Sequence, residues 1–133
     1  MKRMIAVLSV LWLAGCSTPT TPEELRSAVD PEVLSSLKNY QELYATVEQR
    51  VRTCYSGANT MRSALYVDEG RGAIGVSSGT EYLALVEVFR SPEGFGSQIM
   101  VHTQDDSLPS MIHAWVQGDT SCGGDNAVVA SKL

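Results

Sequence analysis

Six side chains bound the chemistry open to this chain: the three cysteines Cys16, Cys54 and Cys122, the two histidines His102 and His113, and Ser77, which lies between glycines. A cysteine can carry a thioether, close a disulfide, bind a metal or act as a nucleophile. A histidine can move a proton near neutrality or ligate a metal. Gly75-Val76-Ser77-Ser78-Gly79 has the spacing G-x-S-x-G, in which a strained strand-to-helix turn presents a serine nucleophile beside backbone amides. Here the next run, Glu81 to Arg90, is rich in Val, Leu and Phe and predicts a strand, so a hairpin turn is the simpler expectation. His102 and His113 have Asp105 and Asp106 nearby but neither HxH nor HxxxH spacing. His102 is expected to face solvent from a strand, and His113 to be a polar position on a short helix. There is no P-loop, dinucleotide fingerprint or cysteine-nucleophile signature. No catalytic residue, metal site or cofactor is expected.

Cys16 stands in a more specific context. Lys2 and Arg3 precede an almost wholly apolar run from Met4 to Ala14, the layout of a secretory signal. The run is well short of the roughly 20 residues a membrane-spanning helix requires. Leu13-Ala14-Gly15-Cys16 resembles the lipobox of bacterial lipoproteins. That resemblance implies cleavage after residue 15, lipidation of Cys16 by acyl chains, and anchoring to an envelope membrane. Ser17, rather than an aspartate, follows the cysteine, which by the family's sorting pattern implies the outer membrane, facing the periplasm. Loss of Lys2 and Arg3 with the signal would take the formal charge from -5 to -7. An acidic domain without a basic patch argues against nucleic acid and offers no electrostatic pull toward anionic lipid. The anchor alone is expected to hold the bilayer.

With Cys16 lipidated, Cys54 and Cys122 remain as an even pair in an oxidising compartment, and a disulfide between them is the favoured expectation. Two free thiols, a metal site or a reactive cysteine are the alternatives. The lack of CxxC spacing and of nearby histidines makes a poor zinc site.

The elements that must position these groups follow from punctuation and periodicity. Residues 1–15 are the expected signal peptide, 16–22 a polar, proline-punctuated lipidated tether, and 23–133 one domain. Thr21 to Glu24 has the form of a capping box, with Pro22 in the first turn of a short helix through Val29. Asp30-Pro31 looks like a second helix start. Val33, Leu37, Tyr40, Tyr44, Val47, Val51 and Cys54 then recur at steps of four and three, which predicts a helix of about six turns. It is expected to pack on its own domain's sheet; a seam between two chains is the alternative, and the oligomeric state stays open. Ser63–Val67, Ala73–Ser77, Glu81–Arg90 and Ser97–Thr103, separated by glycine- and proline-bearing turns, predict a meander of about four antiparallel strands. Pro109 to Gln117 predicts a short helix ended by Gly118, and the tail from Gly123 to Leu133 is expected to be either disordered or an edge strand at Ala127–Ala130. The fold class expected is α+β: a long N-terminal helix on a four-stranded antiparallel sheet, a short C-terminal helix and one disulfide.

One further resemblance bears on function. Ser78-Gly79-Thr80-Glu81-Tyr82 resembles the SGxxY loop of periplasmic C-type lysozyme inhibitors, and Trp115-Val116-Gln117-Gly118 echoes their W-x-x-G sequence. Those inhibitors are small disulfide-bonded lipoproteins built as all-β barrels without a long helix, and their tryptophan follows the loop closely, as Trp115 does not. The function expected is a non-enzymatic structural or protein-interaction module of the envelope, with an envelope protein as partner. A periplasmic ligand-binding or lysozyme-inhibitor-like protein is the alternative, and a small serine hydrolase the remote one.

Overall fold

The computed structural model describes residues 18–55, 57 and 59–122. The expected signal peptide, Cys16 and the strand expected at 127–130 lie outside the described residues. Helix α1, Pro22–Ala28, starts as its punctuation requires: the Thr21 hydroxyl accepts from the Glu24 amide at 3.2 Å, and Pro22 occupies the first turn. The Glu24 carboxylate reaches back to the amide and hydroxyl of Thr20, one residue earlier than a capping box places it.

The single long helix expected after Asp30 does not form. Glu32–Ser36 is instead a strand, β1, and helix α2 runs from Tyr40 to Cys54, 15 residues. The side chains explain the break. Asn39 is the N-cap, its Oδ1 accepting from the Gln41 amide at 2.8 Å. Val33 and Leu37, the first two positions of the presumed stripe, are 52% and 87% exposed. Leu34 packs against the core instead, because β1 pairs along β5. Pro31, which has no amide hydrogen, sits just before the edge strand, where none is missed.

The sheet therefore has five strands, not four. β2 is Asn59–Tyr66, β3 Arg71–Ser78, β4 Glu81–Arg90 and β5 Ser97–Thr103, in the antiparallel order β1-β5-β4-β3-β2. A short 3-10 turn, Val67–Glu69, joins β2 to β3. Helix α3, Ser107–Val116, ends as predicted, with the Gly118 amide donating to the Trp115 carbonyl at 3.0 Å. The class is α+β.

One face of the sheet carries the main core. Tyr40, Leu43, Val47 and Val51 of α2 and Leu108, Ile112 and Trp115 of α3 close over Ile74, Val76, Val86, Val88, Ile99 and Val101. Gly72 lies under the Tyr44 ring, where a Cβ would fall 2.3 Å from a ring carbon, so only glycine lets α2 come this close. Helix α1 lies on the opposite face with Leu25 fully buried. Ala84 to Val88 are consequently buried on both sides, which accounts for the near-continuous apolar run of β4.

Candidate functional site

Cys54 and Cys122 form the expected disulfide, with 5.3 Å between Cα atoms. It joins the last residue of α2 to the segment just beyond α3. Tyr55 follows on, and its hydroxyl donates to the Asp105 carboxylate at 3.2 Å; burial first, and Asp105 second, push that phenol's pKa up.

Ser77 is the penultimate residue of β3, and Ser78 pairs with Glu81 across the two-residue turn Gly79-Thr80. Gly79 has φ +60°, a conformation that suits the first position of such a turn and strains any side chain. The G-x-S-x-G spacing is thus a β-hairpin and not a strand-to-helix elbow, and among the described residues the Ser77 hydroxyl is bonded to no base. His113 is exposed on α3, with the Gln117 side chain 3.0 Å from its ring. Among the described residues no three of His, Cys, Asp and Glu converge in a metal-holding arrangement, and no helix is long and apolar enough to cross a membrane.

His102 does not face solvent. It is 5% exposed on the face covered by α1, beside Glu87 at 7%, and its Nδ1 is buried without a partner among the described residues. Arg26 reaches down from α1 to Glu87, Nε to Oε1 at 3.2 Å. Loss of hydration holds the His102 pKa below its ordinary value; Glu87 opposes that shift and Arg26 reinforces it. The alternation in β5 indicated which face His102 takes. What covers that face comes from α1, seventy-odd positions earlier, and nothing local to His102 signals it.

Beside α1 the same face is open. Thr60, Ser77 and Tyr82 form a row across β2, β3 and β4, with Arg62 and Gly75 side by side in the next. A β-bulge gives β4 one extra residue, Leu83, at this end of the hairpin. Thr60, Arg62, Ser77 and Tyr82, with Gly79 and Thr80 at the turn and the Thr20–Pro22 start of α1, bound a cleft of about 500 Å³. A second hollow of about 200 Å³ continues it over Ala64, Ala73 and Gly75 to Tyr66, sharing Arg62 and Tyr82. Tyr82 stands over Gly75, whose missing side chain leaves room for the ring. The Tyr82 amide donates to the Pro19 carbonyl at 2.8 Å, so the segment expected to be a free tether is fastened to the sheet, and Pro19 is buried. Sequence reasoning missed this cleft. Its parts are ordinary hydroxyls on three strands, and only the strand register brings them together.

Comparison with protein-family models, with curated proteins and with solved structures returned no match to this chain.

Proposed function

We propose that this chain is a lipoprotein anchored through acylated Cys16 to the outer membrane, facing the periplasm, and that its domain is a non-enzymatic module that holds an envelope partner. The lipobox-like Leu13-Ala14-Gly15-Cys16 supports the anchor. The observation that carries the module is the fastening of Pro19 to Tyr82 at one end of the sheet. Three residues of chain from Cys16 to Pro19 span at most about 10 Å. A domain attached so closely has little freedom to search for a soluble substrate. It is instead confined at high effective concentration beside whatever shares the membrane surface.

The far end of the sheet suits contact with a partner. Leu37 and Phe95 are 87% and 70% exposed, and they flank a hollow of about 310 Å³ where β4 ends and β5 begins. Two large apolar side chains left in water beside one hollow form the kind of patch that a partner covers. A photo-crosslinking residue at position 95 in cells should capture one dominant envelope protein, and Cys16→Ser should lose both the lipid and that capture. Capture unchanged in Cys16→Ser, or turnover of ester, peptide or glycan by purified protein above background, would overturn the proposal.

A further inference from the structure

The cleft between α1 and the β3–β4 hairpin gathers solvent-facing polar side chains that the fold itself does not use. Among the described residues the side chains of Thr60, Arg62, Ser77, Thr80 and Tyr82 make no hydrogen bond or ion pair to one another or to any neighbour, yet they line one cavity. Elsewhere among the described residues Arg26, Arg52 and Arg71 each have a carboxylate partner, Arg50 donates to the Thr120 carbonyl and Arg90 lies over the Tyr40 ring. Arg62 has no such partner among the described residues. A guanidinium with several idle hydroxyls facing one hollow is the donor and acceptor set of a ligand site.

We infer that this cleft binds a glycan with an isolated carboxylate, one acidic sugar among neutral ones, with Arg62 on that carboxylate and the hydroxyls of Thr60, Ser77 and Thr80 on the sugar oxygens. The charge decides between anions. Arg62 is the one cation in the lining, and the Glu24 carboxylate lies close by, bonded to Thr20. That leaves little positive potential for a dianionic phosphate, which recruits several cations or a nest of amides. A singly charged carboxylate on an otherwise neutral, hydroxyl-rich scaffold matches one guanidinium among hydroxyls, and Arg can hold it with two parallel hydrogen bonds.

The shape favours a polymer. From Thr60 to Tyr66 the two hollows follow β2 for about 20 Å at the rise of an extended strand. The floor is small side chains, Ala64, Ala73 and Gly75; Tyr82 stands along it, offering apolar ring surface to a sugar ring, and Tyr66 closes the far end with one ring face under the Arg71 guanidinium. An extended acidic peptide has the right length, but its alternate side chains want apolar pockets, and the end of the groove holding Arg62 is lined by hydroxyls.

The inference rests on the reading of the domain as a holding module, and not on the lipid anchor. Its test is calorimetric titration of the full chain, extracted from membranes in detergent, with a short oligosaccharide carrying one uronate, a neutral oligosaccharide of equal length, inorganic phosphate and an oligoglutamate peptide. The singly acidic oligosaccharide should bind at least tenfold more tightly than each of the others. Arg62→Met should weaken it at least tenfold with an unchanged melting temperature, and Arg62→Lys should restore part of the loss. Thr60→Ala with Thr80→Ala should weaken it severalfold while Arg62 stays in place. Equal binding of the neutral sugar, equal binding of phosphate or oligoglutamate, or indifference to Arg62→Met would overturn the inference. The same mixtures are analysed for cleaved sugar. Binding with cleavage leaves the site standing and removes the non-enzymatic reading, whereas no binding and no cleavage removes the site and leaves that reading standing.

Discussion

At the scale of single residues, His102 carries a sign that can be measured. It is buried beside Glu87 and under Arg26, and desolvation lowers its pKa in the folded state relative to the unfolded chain. A histidine with a depressed folded pKa takes up its proton more readily when unfolded. Its contribution to stability is therefore present above the unfolded value of about 6.5 and is lost as pH falls through that value toward the folded one. Replacing it with leucine removes both the titration and the unpartnered Nδ1. Urea midpoints of wild type and His102→Leu should diverge as pH is lowered from about 7.5 to 5, with the variant the more stable at the acid end. Parallel midpoints across that range would mean that His102 is not the titrating group. In sequence, His102 carried a correct face and a wrong environment, because alternation along a strand reports which side a residue takes and not what lies on that side.

At the scale of elements, the disulfide and the β1–α2 boundary make separate predictions. Cys54 and Cys122 close a loop with a sequence separation of 68. On the loop-entropy account such a cross-link is worth roughly 4 kcal/mol, a large share of the 5–15 or so that keeps a small domain folded. Cys54→Ala with Cys122→Ala should lower the melting temperature by roughly 15 °C or more in a domain of this size. Scanning calorimetry checks this, and a shift of only a degree or two would show that α2 and α3 hold together without the staple. For the boundary, the long-helix expectation puts Leu37 in the stripe, whereas the structure half-buries Leu34 against the core and exposes Leu37. Leu37→Ser should change stability by no more than about 0.5 kcal/mol, while Leu34→Ala should cost about 1 kcal/mol or more. The reverse order, read from denaturant midpoints, would restore the continuous helix.

That boundary also marks where the sequence stops being legible. β3, β4, β5, α1 and α3 announce themselves through turn residues, capping residues and β-branched runs, and the disulfide through the expectation of two paired cysteines in an oxidising compartment. β1 does not. Val33 and Leu37 happen to continue the spacing of Tyr40, Tyr44, Val47 and Val51, and period alone cannot tell a helical turn from a short edge strand. Only pairing with β5, more than sixty residues away, selects the strand, and Asn39 as the N-cap is the local mark that could have located the break. The cleft was illegible for a similar reason, since Thr60, Ser77 and Tyr82 become neighbours only through register.

At the scale of the whole molecule, the fastening of Pro19, combined with the proposed acylation of Cys16, would give the domain a definite stance on a membrane. Pro19 is bound at the Tyr82 end of β4, which is also the end of the β3–β4 hairpin, while Phe95 lies beyond the other end of that strand. Ten residues of β4 separate the two ends, about 30 Å at the rise of an extended strand. With Cys16 acylated and at most about 10 Å of chain before Pro19, the hairpin tip must lie close to the headgroups and Phe95 must project away from them. Fluorophores placed on unnatural amino acids at position 80 or 95 of the lipidated protein, in vesicles carrying an acceptor lipid, should report this difference. Transfer should be strong from position 80 and weak from 95, and Cys16→Ser should abolish both. Inserting a flexible segment of ten or so Gly and Ser residues between Cys16 and Pro19 should keep the protein on the vesicles but bring the two signals toward each other, because the stance depends on a short connection and not on affinity of the acidic domain for lipid. Equal transfer from positions 80 and 95 in the native chain would show that the domain tumbles on its anchor, and the fixed stance, with the crosslinking pattern it implies at Phe95, would have to be abandoned.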